Sequence, residues 1–405
     1  MIASLSPQFL EPAVADFNRT NSLYRAELVD IQTYYGSWPD GIDKMILEII
    51  AGRGPDIIHT YQLYQFRHWG KQGLFEDLYE MMDPDPVLNR SDFIKSIITG
   101  FETDGKLFQM APGVSVRTII GHPDVIGSAP GWNIDEFKDV INANPQAVMP
   151  LGSLYNGFRL LNLILTNNIE CFINRETGIV SFDSDNFIEL LDFAYNAESR
   201  FNQSNADPRE NAPKRRISSG EQIMEIVSFS RFEEYSAFQD LFGGEFIFKG
   251  IPSEAGTGNV IESEYGLAIT AVSENKSGAW EFVRMFISEG RQRQTLNNRS
   301  NIVQYIPTNK IIFEEKLTGA MVDHINPYIF WGDLVTAARP LSKEDTDKIR
   351  VLIDSVSHAP SQLDDPLLYL YMEVMQDFLN DRITAHDAAR IMQNRASVYV
   401  SEQSG

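Results

Sequence analysis

A single cysteine, Cys171, in 405 residues excludes an internal disulfide and any metal site built on several thiolates. No stretch of about 18 apolar residues occurs, so nothing in the chain reads as a membrane-spanning helix. The opening residues lack a basic stretch followed by an apolar one, so any export signal lies outside this sequence or was never there. Basic residues are in short supply: 34 Lys and Arg face 56 Asp and Glu, a net charge of −22. Such a field repels phosphate backbones and anionic headgroups, which argues against nucleic acid or a lipid surface as partner. The six histidines, at 59, 68, 122, 324, 358 and 386, form no close ligand pair. No phosphate-binding G-x-x-x-x-G-K-[ST] and no G-x-S-x-G elbow is present. Gly256-Thr257-Gly258 lacks the third glycine of a dinucleotide loop. Asp83-Pro84-Asp85 and Asp183-Ser184-Asp185 do not continue into a calcium loop. No cofactor and no catalytic residue is assigned.

What is present is length, aromatic residues and a repeating pattern. A chain of 405 residues exceeds what one core usually holds, so two domains are expected. Five Trp, 15 Tyr and 25 Phe leave rings to spare for a binding surface. Phe9, Leu10, Ala13, Val14 and Phe17 share a helical face after Ser6-Pro7. Ala26 to Ile31 reads as a strand. Ile42, Met45, Ile46, Ile49 and Ile50 predict an amphipathic helix that stops at Gly52-Arg53-Gly54-Pro55. Asp56 to Thr60 follows as a buried strand, giving the grammar of an α/β protein. Further strands are expected at Glu225–Val227 and Leu267–Thr270, with helices carrying Phe187–Ala194, Ala279–Ile287, Leu367–Leu379 and the segment after Thr384. Loops are expected over 202–219, 253–263 and 339–345. Cys171, inside the apolar run 169–173, is expected to be buried.

Seven short segments, taken in order, resemble the family 1 extracellular solute-binding proteins, the group that includes maltose-binding protein. They are Ile49–Ile58, Gly73–Leu78, Asp104–Pro112, Gly131–Phe137, Phe182–Ser184, Asn275–Phe282 and Ile306–Asn309. The helix at 388–395 extends the likeness toward the C-terminus; the start of the chain, with only Met1–Ser4 of a first strand, departs from it. The resemblance implies a two-lobed α/β fold with a hinge and a ligand cleft between the lobes. Lobe one would hold 1–112 and 267–310, and lobe two 113–266 and 311–405. It also implies a non-enzymatic, extracellular substrate-binding component of an ABC importer. That component would be a monomer, lipid-anchored or periplasmic, that takes up a carbohydrate ligand and delivers it to the transmembrane subunits of a permease. A peptide, polyol or phosphorylated ligand, or a sensory role, would use the same fold. A glycoside hydrolase is the alternative from another class.

On that template the ligand contacts fall after strand ends. Tyr61, Gln62 and Tyr64 follow the strand ending at Thr60, and rings with an amide suit pyranose faces and hydroxyls; either tyrosine would alternatively pack beneath its own loop. Ser6 is a hydrogen-bonding candidate or simply a helix start. On the second lobe, Tyr155 and the run Ser228-Phe229-Ser230 after Val227 are the candidates, with Phe229 either a platform for a sugar ring or core. Trp331 and Tyr369 complete the set, each with a core role as the competing reading.

Overall fold

The computed structural model describes residues 1–63, 65–152, 156–174, 177–203, 210–254, 258–297, 305–322, 328–357 and 365–403. Ile2–Ser4 (β1), Leu28–Asp30 (β2) and Ile57–His59 (β3) form a parallel group, with Ile2 opposite both Leu28 and Ile57. Both faces of this group are covered, so every residue of β1 and β3 is buried rather than alternate ones, the polar strand ends Ser4 and His59 included. Ile2 and Ile57 face a core that holds Phe17, of helix Glu11–Thr20, and Phe282, of helix Lys276–Ile287, with ring centroids 5.2 Å apart. Ala3 and Ile58 face the opposite side, where Ile42, Met45, Ile46 and Ile49 of helix Asp40–Ile50 pack. Ile50 was predicted on that face and instead points outward, 63% exposed, because eight residues carry it about 80° further round the helix.

The second sheet is organised by Gly113–Gly121 (β4), which pairs antiparallel with every neighbour it has. Two short hairpin strands, Ile173–Asn174 (β5) and Ile179–Val180 (β6), precede Met224–Phe229 (β7). β7 runs along β4 from Val116↔Phe229 to Gly121↔Met224. Ile247–Phe248 (β8) and Val260–Glu262 (β9) pair with β4 at its two ends. β9 lies inside the segment expected to be a loop, and so does the helix Pro213–Ser219 in its own, which opens on Pro213 and closes on a left-handed Gly220. Leu267–Ile269 (β10) returns to the first sheet, antiparallel to β3, and Ile306–Pro307 (β11) pairs with Val114 and Gly113 of β4. The chain therefore passes between the sheets beside 111–113, 263–267 and 305–308. These passes are bonded to one another: Met110 and Leu267 exchange both backbone bonds, and Thr308 N–H donates to Pro112 O at 3.1 Å.

The remaining elements enlarge the second core. Helices Asp365–Leu379 and Ala385–Gln403 pack beside Gly157–Asn168 and Asp185–Gln203. Helix Lys343–Asp354 is bonded to helix Lys95–Phe101: Ser96 Oγ donates to Ile353 O at 2.7 Å. Tyr328–Trp331 (β12) and Leu334–Ala337 (β13) form a separate hairpin against helix Glu234–Leu241. Cys171 is exposed, contrary to the expectation, because the turn Ile169–Cys171 sends Ile169 and Phe172 inward and the thiol outward. Among the described residues no helix is long and apolar enough to cross a membrane.

Candidate functional site

β1 and β3 run parallel, so their carboxyl ends open on the same edge of the first sheet, the usual location of ligands in α/β folds. Ser4 and His59 end these strands and are both fully buried. His59 Nε2 lies 2.7 Å from the Glu264 carbonyl, which only accepts, so Nε2 carries the proton. Burial holds the ring's pKa down to about 4, so at neutral pH Nδ1 is bare and accepts from Ser4 Oγ at 2.7 Å. Ser4 Oγ in turn accepts the Ser6 backbone N–H at 3.0 Å. One imidazole thus ties two strand ends of the first sheet to a pass between the sheets. Nearby, a side chain at Gly266 would sit 2.2 Å from Thr60 Oγ1, so glycine is needed where this pass crosses β3.

Around that edge the rings form a continuous path. Tyr61 stacks on His59 at 6.0 Å and meets Phe9 edge-on at 5.8 Å. Phe9 meets Tyr265 at 5.4 Å, and Tyr265 meets Tyr305 at 5.6 Å. Tyr265 and Tyr305 wall a cavity of about 440 Å³ at the passes between the sheets, within the range of small-molecule sites. Ser115, Ser228, Ser230 and Ser263 supply hydroxyls to it, and Arg231, Glu234, Glu262 and Glu264 supply charge. Burial pushes the Tyr265 hydroxyl up to about 12, with Glu264 and Tyr61 adding to the shift, so it remains a neutral donor and acceptor. Burial also raises Glu234, whose carboxylate accepts from the backbone N–H groups of Ser230 and Arg231 and from Arg231 Nε at 3.1 Å. Glu262 takes a hydrogen bond from Ser228 Oγ at 3.0 Å and faces Arg117 at 3.4 Å.

Of the residues chosen from sequence, the structure brings Tyr61, Ser228 and Ser230 to this region. Gln62 is exposed, on left-handed backbone at φ 62° just beyond β3. Ser6 is half-buried at the turn Pro7–Phe9. Tyr64 and Tyr155 lie outside the described residues. Tyr369 falls within helix Asp365–Leu379, and its side chain is likewise outside them. Phe229 does not serve as a platform: it belongs to β7, paired with Val116, and is fully buried against Phe248 at 5.4 Å and Phe238 at 6.2 Å. Trp331 is not a wall of the cavity either; it packs edge-on against Phe238 at 5.3 Å, anchoring its hairpin. Phe9, Tyr265, Tyr305 and the charged walls were missed. Their signal was position beside the passes between lobes rather than residue type. Among the described residues no group of His, Cys, Asp and Glu is arranged to hold a metal ion.

The His59 contacts give a pH dependence. Its pKa is about 4 folded against 6.5 for the free side chain, so between these values the unfolded chain binds the extra proton. His59 therefore contributes stability that is fully present above about pH 6.5 and is lost as pH falls toward 4. Thermal melts of wild type and His59→Gln should show a wild-type advantage at pH 7 that shrinks at pH 4.5; an advantage independent of pH would contradict the neutral, doubly bonded imidazole.

Two α/β sheets, three passes between them and a polar, ring-walled cavity at those passes define a two-lobed solute-binding fold. Solved structures share it along nearly their full length. The sugar-binding protein MalE of Xanthomonas citri matches with a TM-score of 0.61 at 13% identity, covering 99% of this chain and 97% of that one. Lmo0181, an ABC substrate-binding protein of Listeria monocytogenes solved with cycloalternan, matches at 0.54 and 14% identity over 99% and 98%. An ABC transporter solute-binding protein of Thermotoga lettingae, bound with alpha-D-tagatose, matches at 0.54 and 13% over 98% of each chain. The family model of the bacterial extracellular solute-binding proteins matches residues 13–318, and the chain belongs to that family.

Proposed function

We propose that this protein captures a sugar or short oligosaccharide between its lobes outside the cell and delivers it, chemically unchanged, to the permease of an ABC importer. In this reading lobe one is 1–112 with 267–310, lobe two is 113–266 with 311–405, and the protein acts as a lipid-anchored or periplasmic monomer. The observation that carries it is the juxtaposition of Tyr61 and Phe9, at the strand ends of one sheet, with the hydroxyl-rich cavity at the passes. Rings stack on the C–H faces of a pyranose, while serine hydroxyls and carboxylates satisfy its hydroxyl groups. The similar solved proteins, bound with tagatose, in complex with cycloalternan or known as sugar-binding, support the same ligand class.

Calorimetry across a panel of mono- and oligosaccharides, with peptides as controls, tests this. At least one sugar should bind, and the melting temperature should rise with its concentration, since ligand binds the folded state. Tyr61→Ala should weaken that binding about 5- to 30-fold, the loss of a stacked ring worth ~1–2 kcal/mol. Binding of peptides and no sugar, or hydrolysis of the recovered sugar, would overturn the proposal.

A further inference from the structure

The charges around the cavity are uneven, and the imbalance bears on the ligand's own charge. Its described walls carry three carboxylates, Glu234, Glu262 and Glu264, and one guanidinium, Arg231. Arg231 is committed to Glu234, whose side chain is 5% exposed and whose remaining acceptor positions take two backbone N–H groups. Arg117 stands against Glu262 from the neighbouring position on β4, and Ser228 Oγ holds the other oxygen of that carboxylate. Glu264 is different. Its backbone carbonyl is fixed by His59, yet among the described residues its carboxylate has no hydrogen-bond or ion-pair partner, and the residue is exposed. The fixed carbonyl holds the Glu264 backbone between the polar walls and the ring path, next to Tyr265, whose ring meets Phe9, which in turn meets Tyr61. The π-faces of such rings attract cations, and a carboxylate beside them adds to the attraction. A phosphorylated or carboxylated sugar would meet that carboxylate with Arg231 already engaged.

From the unpartnered Glu264 carboxylate set between an aromatic path and a hydroxyl-lined cavity, we infer that the preferred ligand is a carbohydrate bearing a protonated amine. The inference rests on the sugar-binding reading above and narrows it. Hydroxyls of the ligand engage the serines and Glu262, and its ammonium group pairs with the Glu264 carboxylate. Discrimination against a neutral analogue then follows from leaving that carboxylate without a partner once the lobes exclude water.

The test is a matched pair: a β-1,4-linked glucosamine disaccharide and its N-acetylated counterpart, titrated by calorimetry at mildly acidic pH, where the amines are protonated. The amine form should bind about ten-fold more tightly, the scale of one favourable charge contact. The ratio should narrow in 0.5 M salt and narrow again in Glu264→Gln, with melting temperatures confirming that the variant folds. Equal affinities for the pair, tighter binding of the N-acetylated form, or an unchanged ratio in Glu264→Gln would overturn the inference while leaving sugar binding intact. If neither disaccharide nor any sugar of the wider panel binds, the functional proposal itself fails and the inference falls with it.

Discussion

Phe229→Ala should cost about 3–5 kcal/mol of folding stability and leave the sugar affinity of the folded fraction unchanged within about two-fold. Phe229 is fully buried, and its ring lies 5.4 Å from Phe248, 6.2 Å from Phe238 and 6.3 Å from Phe232. Truncation empties the middle of an aromatic cluster whose backbone is pinned by the β4–β7 ladder, so the walls cannot collapse far into the void. Phe229→Leu keeps most of the volume and should cost considerably less. Denaturant midpoints report the stability loss, and calorimetry on the same samples reports affinity. A variant that melts like wild type but binds sugar an order of magnitude more weakly would return Phe229 to the cleft.

Arg216→Ala should be comparably damaging, and its cost should depend on pH. Arg216 is 2% exposed; its Nε donates to Gln222 Oε1 at 2.9 Å and its Nη1 to the Glu210 carbonyl at 2.6 Å. Gln222 hands the contact on to the Glu225 carboxylate. Burial pushes Glu225 up to about 7, while Gln222, Arg216 and Trp331 pull it back down. With a folded pKa above the ordinary 4.5, Glu225 contributes stability that is full below pH 4.5 and lost as pH rises through 7. Above pH 7 the ionised, half-buried carboxylate relies on Arg216, and removing the cation leaves that charge uncompensated, at about 3 kcal/mol. Below pH 5 Glu225 is neutral, and only the hydrogen bonds of Arg216 are lost. The deficit of Arg216→Ala in urea titrations should therefore be distinctly larger at pH 8 than at pH 5. Equal deficits would show that Arg216 and Glu225 are not coupled.

The sequence pattern reached the fold more readily than the site, and particular residues show why. The face Ile42, Met45, Ile46 and Ile49 is a local regularity, repeated within one helix, and it survives without knowledge of anything distant. The end of β7 is not local. Read alone, Val227 ends the strand and Ser228-Phe229-Ser230 follows it; pairing with β4 extends the strand by two residues and turns Phe229 inward. Cys171 failed for a related reason, since a run of apolar letters does not disclose a turn that alternates their direction. The position of Tyr61 was legible because it follows a readable strand. Tyr265, Tyr305 and Glu264 were not, because they gain meaning only when passes more than a hundred residues removed from β3 come to lie beside it.

The order of strands also governs when the molecule can assemble. β1 is made first, yet its sheet is closed only by β10, some 260 residues later, and β4 waits for β11 at 306–307. Neither sheet can be finished from a contiguous stretch of chain, so loop-closure entropy must be met before the distant pairings form. Chain made only as far as residue 260 leaves the β3 edge open and the first core unsealed. Closure of either sheet thus waits for about two thirds of this sequence or more, rather than for the emergence of its first elements.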